Sequence, residues 1–146
     1  MNISNPGDPP TKQFFIPVTF ASLQTNYTYH TVGECNAASE QANMEFMVPH
    51  DFHTLIECLI FVIPRFTTAA AVWYLNCNYA GLGEAYNIHT ERDLVTTYDV
   101  TDNQIFAVDA SGVLTSLAAE DCVGLGLQQG AAGDNVNVLG VLFRYA

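Results

Sequence analysis

The chain has 146 residues, of which 49 % are hydrophobic and 13 % charged, against roughly 25 % charged in ordinary soluble domains. That length suits one domain with a full core. Its charge is lopsided, 15 acidic residues against 4 basic ones for a net −11, which speaks against nucleic acid and anionic membranes as partners, since both need a Lys/Arg footprint.

In chain order, residues 1–10 carry Pro6, Pro9 and Pro10 and predict an extended arm ahead of one domain over 11–146. Pro9 and Pro10 are candidate contacts with a neighbouring subunit. From Phe14 onward, punctuation recurs about every 8 to 12 residues, the spacing of an all-β sandwich or barrel. Residues 14–20 read as a strand that Pro17 confines to an edge or a bulge. Residues 27–32 read as a strand, 33–43 as a loop with one helical turn near 37–42, and 44–48 as a short strand stopped by Pro49.

Residues 55–63, 69–75 and 136–143 are almost continuously apolar, as expected of strands covered on both faces. With no helix of useful length to cover them, the second cover is expected to be another subunit. Phe14, Trp73, Tyr74 and Phe143 are the candidate interface residues. Residues 78–84 form a loop and 94–101 a strand with Thr96, Tyr98 and Val100 on one face. Asp102-Asn103 turns the chain into 105–108, Ser111-Gly112 makes the next turn, and 113–119 is a connection or a helical turn. Residues 122–128 alternate cleanly: Val123, Leu125 and Leu127 point inward, Cys122, Gly124 and Gly126 outward. Small outward residues mark a place where something packs closely. Residues 130–135 lead into the last strand. The fold expected is an all-β, antiparallel sandwich of about eight to ten strands with little helix.

The segment 1–13 has no basic n-region and no apolar h-region, so a soluble chain without an export signal is expected. Cys35, Cys58, Cys77 and Cys122 show no C-x-x-C and no His at metal-ligand spacing. Free thiols are favoured, with any pairing among them left open. The acids are dispersed and no calcium loop is present. His50, Asp51 and His53 are the one start of a metal site, but they lie on a loop between strands, where Asp51 more often caps a turn. His30 and His89 have no visible partner. There is no G-x-S-x-G elbow and no phosphate loop. Glu57 interrupts an apolar strand, and its expected partner is Arg144. Neither catalytic residues nor a cofactor are read. Trp73, Tyr74, Tyr79, Tyr86 and Tyr98 are candidates for a sugar-stacking face, although core and interface burial are favoured for them.

The run G-V-L-T-S-L-A-A-E-D-C-V-G-L-G-L over 112–127, followed by N-V-L-G-V-L-F-R-Y over 137–145, resembles the end of trimeric jelly-roll heads. Glu120 stands where such sequences commonly have Gly. F-M-V-P-H-D-F (46–52), F-V-I-P (61–64) and Y-A-G-L-G-E-A-Y (79–86) are similar to structural proteins of tailed bacteriophages. The resemblance implies a jelly roll and a homotrimer located in the virion. It implies a capsid decoration (cement) protein that binds the major capsid protein or another virion protein, without catalytic residues. The alternative is a receptor- or glycan-binding appendage, with Tyr79 and Tyr86 stacking on sugar. An enzyme on a cupin-like scaffold is the third reading and rests on His50, Asp51 and His53.

Overall fold

β-branched and aromatic residues recur here with a period of two, and turns or prolines end each run, so strands dominate. The structure, a computed structural model, describes residues 10–93 and 97–146. Among these the strands are β1 (Lys12–Pro17), β2 (Phe20–Ala21), β3 (Leu23–Tyr27), β4 (His30–Cys35), β5 (Gln41–Met47) and β6 (Leu55–Pro64). They continue with β7 (Thr68–Ala80), β8 (His89–Asp93), β9 (Thr97–Val100), β10 (Phe106–Asp109), β11 (Cys122–Gln129) and β12 (Val136–Tyr145). A 3-10 turn spans Ser111–Val113. No helix among the described residues is long and apolar enough to cross a membrane.

Two antiparallel sheets face each other. The first runs β10-β6-β12-β4-β3, with β1 also on β12; the second runs β2-β5-β11-β7-β8, with β9 also on β7. From β4 to β7, and again from β10 to β12, successive strands change sheets. This is the alternation of a jelly-roll-type sandwich, and the expected fold class holds. Two long strands each serve three neighbours, β12 holding β6 and β7 holding β11 along one edge and two further strands along the other. β12 pairs with β4 through its first residues and with β1 from Gly140 to Tyr145, while β7 meets β9 and then β8.

The core fills from alternate residues: Cys58, Ile60 and Val62 of β6, Val138, Val141 and Phe143 of β12, Trp73, Leu75 and Tyr79 of β7, and Val123, Leu125 and Leu127 of β11. Phe143 stands at the centre of a ring cluster, with centroids 5.2 Å from Phe14, 5.3 Å from Phe46, 5.9 Å from Tyr145 and 6.1 Å from Phe52.

Several expectations need correction. Residues 27–32 are not one strand. A turn at Thr28-Tyr29 divides β3 from β4, with Thr28 in the left-handed region (φ 59°). A β-branched residue in that conformation gives no turn signal in sequence. The supposed loop over 33–43 shrinks to 36–40, because β4 reaches Cys35 and β5 starts at Gln41. There is no helical turn in it. The Glu40 carboxylate accepts the N–H of Asn36 (2.8 Å) and of Ala37 (3.2 Å) and ties the short turn. β8 was not expected, since its sequence H-T-E-R-D is polar throughout. Pro9 and the rest of 1–9, and residues 94–96 of the expected strand 94–101, lie outside the described residues. Glu120 takes φ 67°, a conformation open to the glycine of the resembled sequences.

The continuous apolar strands also differ from expectation. β6 alternates after all, with Cys58, Ile60 and Val62 buried and Glu57, Leu59 and Phe61 half-buried on the outer face. β7 keeps Val72 and Tyr74 half-buried on its outer face within the expected 69–75 and turns polar there only beyond it, at Asn76 and Asn78. Trp73 and Phe143, expected at a subunit interface, are fully buried within the sandwich. Trp73 is further held by its indole N–H, which donates to the Asp134 carbonyl (2.9 Å). Phe14 packs inward on Phe143, Tyr74 is half-buried on the outer face, and Pro10 is exposed.

Candidate functional site

The outer face of the second sheet is built by register. Gly126 of β11 lies opposite Asn43 of β5 and Asn76 of β7, and Gly124 lies opposite Glu45 and Asn78. On the far side Asn76 faces Arg92 and Asn78 faces Thr90 of β8. Two polar rows therefore cross the sheet, Asn43–Gly126–Asn76–Arg92 and Glu45–Gly124–Asn78–Thr90. Each has a glycine in place of a side chain at the centre. The missing side chains open a groove. It consists of adjoining hollows of about 490 and about 370 Å³ that share Glu45, Asn78 and Gly124.

The two glycines do different things. A Cβ on Gly124 would meet nothing nearer than the Asn78 carbonyl at 3.9 Å, so its floor is open. A Cβ on Gly126 would lie 2.6 Å from Asn43 Oδ1, so the Asn43 amide leans across that position.

Hydrogen bonds fix the wall residues. Arg92 Nε donates to Asn76 Oδ1 (2.6 Å), Asn76 Nδ2 to Gln128 Oε1 (3.4 Å), and Asn78 Nδ2 to Thr90 Oγ1 (3.1 Å). Each bond uses part of a side chain's capacity. Further guanidinium donors on Arg92 and the carbonyl oxygen of Asn78 remain for a ligand. At one end of the groove Tyr86 (78 % exposed), Leu82 and Met47 present apolar surface; at the other stands Phe20, 61 % exposed. The loop that carries Leu82 is tied by Gly81, whose N–H donates to the Glu84 carboxylate (2.8 Å). Glu45, Glu84 and Glu120 make the Tyr86 end acidic.

Beneath this sheet Tyr79 is buried, and its hydroxyl donates to Glu91 Oε2 (2.6 Å) while accepting the Ser116 N–H (2.9 Å). Glu91 also accepts from the backbone N–H (3.0 Å) and the hydroxyl of Thr115. Burial pushes the Glu91 carboxyl up, but the bonds from Thr115 and Tyr79 outweigh it and hold the group below its ordinary value. Burial and the Glu91 carboxylate together raise the Tyr79 hydroxyl. Tyr79 is thus a structural strut and not a sugar platform. Tyr98 stacks on Trp73, with centroids 5.5 Å apart. Of the five aromatic candidates, Tyr86 alone lines the groove.

The other candidates resolve locally. Asp51 accepts from the Tyr145 hydroxyl (3.1 Å) and pairs with Lys12. No group of three His, Cys, Asp or Glu that would hold a metal occurs among the described residues. Glu57 and Arg144 form the expected ion pair, 2.7 Å, on the outer face of the first sheet. All four cysteines are free. Burial raises Cys35 and Cys58 to about 12 and Cys77 to about 11, so these thiols stay protonated and unreactive. Cys122 is exposed beside the groove, on the outward side of β11 as its alternation predicts.

The reading of β11 pointed to Gly124 and Gly126 but not to the residues beside them. Asn76-x-Asn78 and Asn43-x-Glu45 carry a period-two polar signal. Only the register shows that both pairs flank the glycines.

No family model and no curated protein matches this chain. Among solved structures, one that is similar is the CBM36-1 domain of a multidomain xylanase from the hindgut metagenome of Trinervitermes trinervoides. It has a TM-score of 0.50 and 6 % identity, with 92 % of this chain and 98 % of that chain covered. The low-affinity xylan-binding module CBM86 from Roseburia intestinalis covers 92 % and 95 % at 12 % identity, with a TM-score of 0.38. At such identity the first likeness is one of fold, a β-sandwich.

Proposed function

We propose that this chain is a non-enzymatic glycan-binding domain, and that the groove on its second sheet takes a neutral polysaccharide chain. The observation that carries the reading is the glycine-floored groove walled by Asn43, Asn76, Asn78, Thr90 and Arg92. Amide, hydroxyl and guanidinium groups in fixed positions match the hydroxyls of a sugar, and the open floor admits a ring against the backbone. Tyr86 and Phe20 at the two ends supply faces for stacking. Glu45, Glu84 and Glu120, with the net charge of −11, disfavour acidic glycans. The fold likeness to a domain of a multidomain xylanase supports the same reading.

Affinity electrophoresis in soluble xylan, mannan and mixed-linkage glucan tests it. Retardation by at least one neutral polysaccharide is expected. Gly124→Phe fills the open floor and should weaken binding at least tenfold, with the fold intact. No retardation by any of them, or a Gly124→Phe variant that binds like the parent, would sink the proposal.

We propose as a second reading a homotrimeric structural part of a virion such as a capsid decoration protein, for which the apolar outer face of the first sheet supplies a surface for self-association. That face sets Phe15 (47 % exposed) beside Leu142, Leu59 and Phe61, with the Phe15 and Phe61 rings 6.2 Å apart. A second copy of this chain is the occupant proposed, because the neighbouring charges, Glu57 and Arg144, neutralise each other. Light scattering should give the mass of a trimer, and Phe15→Glu should dissociate it. A monomer at high concentration removes this reading and leaves the first untouched.

A further inference from the structure

A cavity of about 230 Å³ opens on the outer side of the first sheet, lined by Glu34, Cys35, Asn36, Arg65, Asn135 and Asn137. It lies on the opposite sheet from the groove. At roughly 30 Å³ of liquid per water, it is too large for a single water.

Asn137 is 2 % exposed, and no described residue bonds its Oδ1. A buried acceptor without a donor is unusual in a folded protein. Its inward-facing neighbours, Val136 and Val138, are fully buried in the core, so the Asn137 amide is directed out into the cavity. Arg65 supplies the complementary group. Its guanidinium lies 4.5 Å above the Tyr27 ring, and its backbone N–H donates to the Asn135 carbonyl (3.0 Å). Among the described residues the ion pairs are Lys12–Asp51 and Arg144–Glu57, and neither involves Arg65. Glu34, which accepts from Asn36 Nδ2 (3.1 Å), sets a carboxylate on the wall. Gln129 Nε2 holds the Asn135 side chain by donating to its Oδ1 (3.2 Å).

These groups decide the ligand class. An anion would satisfy Arg65 but would meet the Glu34 carboxylate and the Asn137 carbonyl oxygen. A cation would satisfy those two and meet Arg65. A hydroxyl group both donates and accepts, so adjacent hydroxyls on one neutral molecule satisfy all three. We propose that the Asn137 cavity is a second sugar site, which takes a single terminal monosaccharide unit. One of its hydroxyls donates to Asn137 Oδ1 and a neighbouring one accepts from Arg65. The groove takes the interior of a chain and the cavity an end, so two sites on opposite sheets allow one molecule to engage two chains.

The test is an NMR titration of the full chain with methyl glycosides of xylose, glucose, galactose, mannose and arabinose, observing the Asn137 side-chain amide and the Arg65 Nε–H. Saturable shifts of both signals are expected with at least one glycoside. Asn137→Ala, which removes a buried unpaired group and so leaves the fold intact, should abolish the shift of the Arg65 Nε–H, and Gly124→Phe should leave both shifts in place. Loss of the shifts in Gly124→Phe would assign them to the groove and overturn the proposal. So would the absence of saturable shifts with every glycoside, which would mean a cavity filled with water only. Shifts with ammonium or sulfate but with no sugar would mark an ion site and also overturn it.

Discussion

Replacing Phe143 by alanine is expected to lower the unfolding free energy by about 3–5 kcal/mol. The ring is fully buried and lies between the rings of Phe14, Phe46, Phe52 and Tyr145. Those neighbours are anchored on four separate segments, β1, β5, the 48–54 connection and β12. They cannot all move in to fill the space, so a cavity remains. Phe143 also sits at a crossroads of the first sheet, with Phe14 of β1 on one side and Cys58 of β6 on the other. Against a total stability of about 5–15 kcal/mol for a domain of this size, the loss brings the protein close to unfolding. Chemical denaturation of parent and variant measures it, with Phe143→Leu expected to lose much less. A loss below about 1 kcal/mol would mean that the ring is not enclosed within one chain. A role between subunits would then be its better explanation.

Phe143 also shows what the sequence could and could not convey. That its strand is almost continuously apolar was legible from V-N-V-L-G-V-L-F. Which chain covers it was not, because apolar continuity looks the same whether the cover is the opposite sheet or another subunit. β6 shows the same ambiguity from the other side. Its outer residues Leu59 and Phe61 are only half-buried, so part of the apolar excess does remain on the surface. Local signals served best where chemistry is local. The Asp102-Asn103 turn is real, with Asn103 in the left-handed region, and Glu57 did find Arg144. They failed at Thr28, where the fold imposes a turn on a residue that disfavours it, and at β8, where pairing with β7 makes a strand from five polar residues. The candidate groove was half visible. The outward glycines of β11 announced a close approach; Gly126 has one, from the Asn43 amide, while Gly124 has an open floor. The walls come from three strands far apart in the chain, and no spacing within one segment reveals that.

Gly140→Ala is the second substitution with a large expected effect, a net loss of about 1–3 kcal/mol from overpacking. The bulge at Leu139 brings β1 hard against β12 here, with the Val18 N–H donating to the Leu139 carbonyl (3.2 Å). A Cβ on Gly140 would lie 2.3 Å from the Ile16 carbonyl oxygen, 2.6 Å from the Phe15 ring and 2.9 Å from Pro17 Cα. The ring can swing aside, but the two backbone atoms cannot move without lifting β1. Removing a glycine from an unstrained position stabilises by about 0.4–1 kcal/mol through the unfolded chain, so the clash must exceed that gain for the sign to be negative. Gly124→Ala is the control, since its Cβ would enter open space, and it should be neutral or slightly stabilising. Lifting β1 withdraws Phe14 from the ring cluster and Phe15 from the apolar outer face together. Faster hydrogen exchange is therefore expected at the β1 amides of Gly140→Ala, with the second sheet unchanged. Should the two alanine variants prove equally stable, β1 is not held on β12 in this register. The apolar face that favours self-association would then lose its outermost residue.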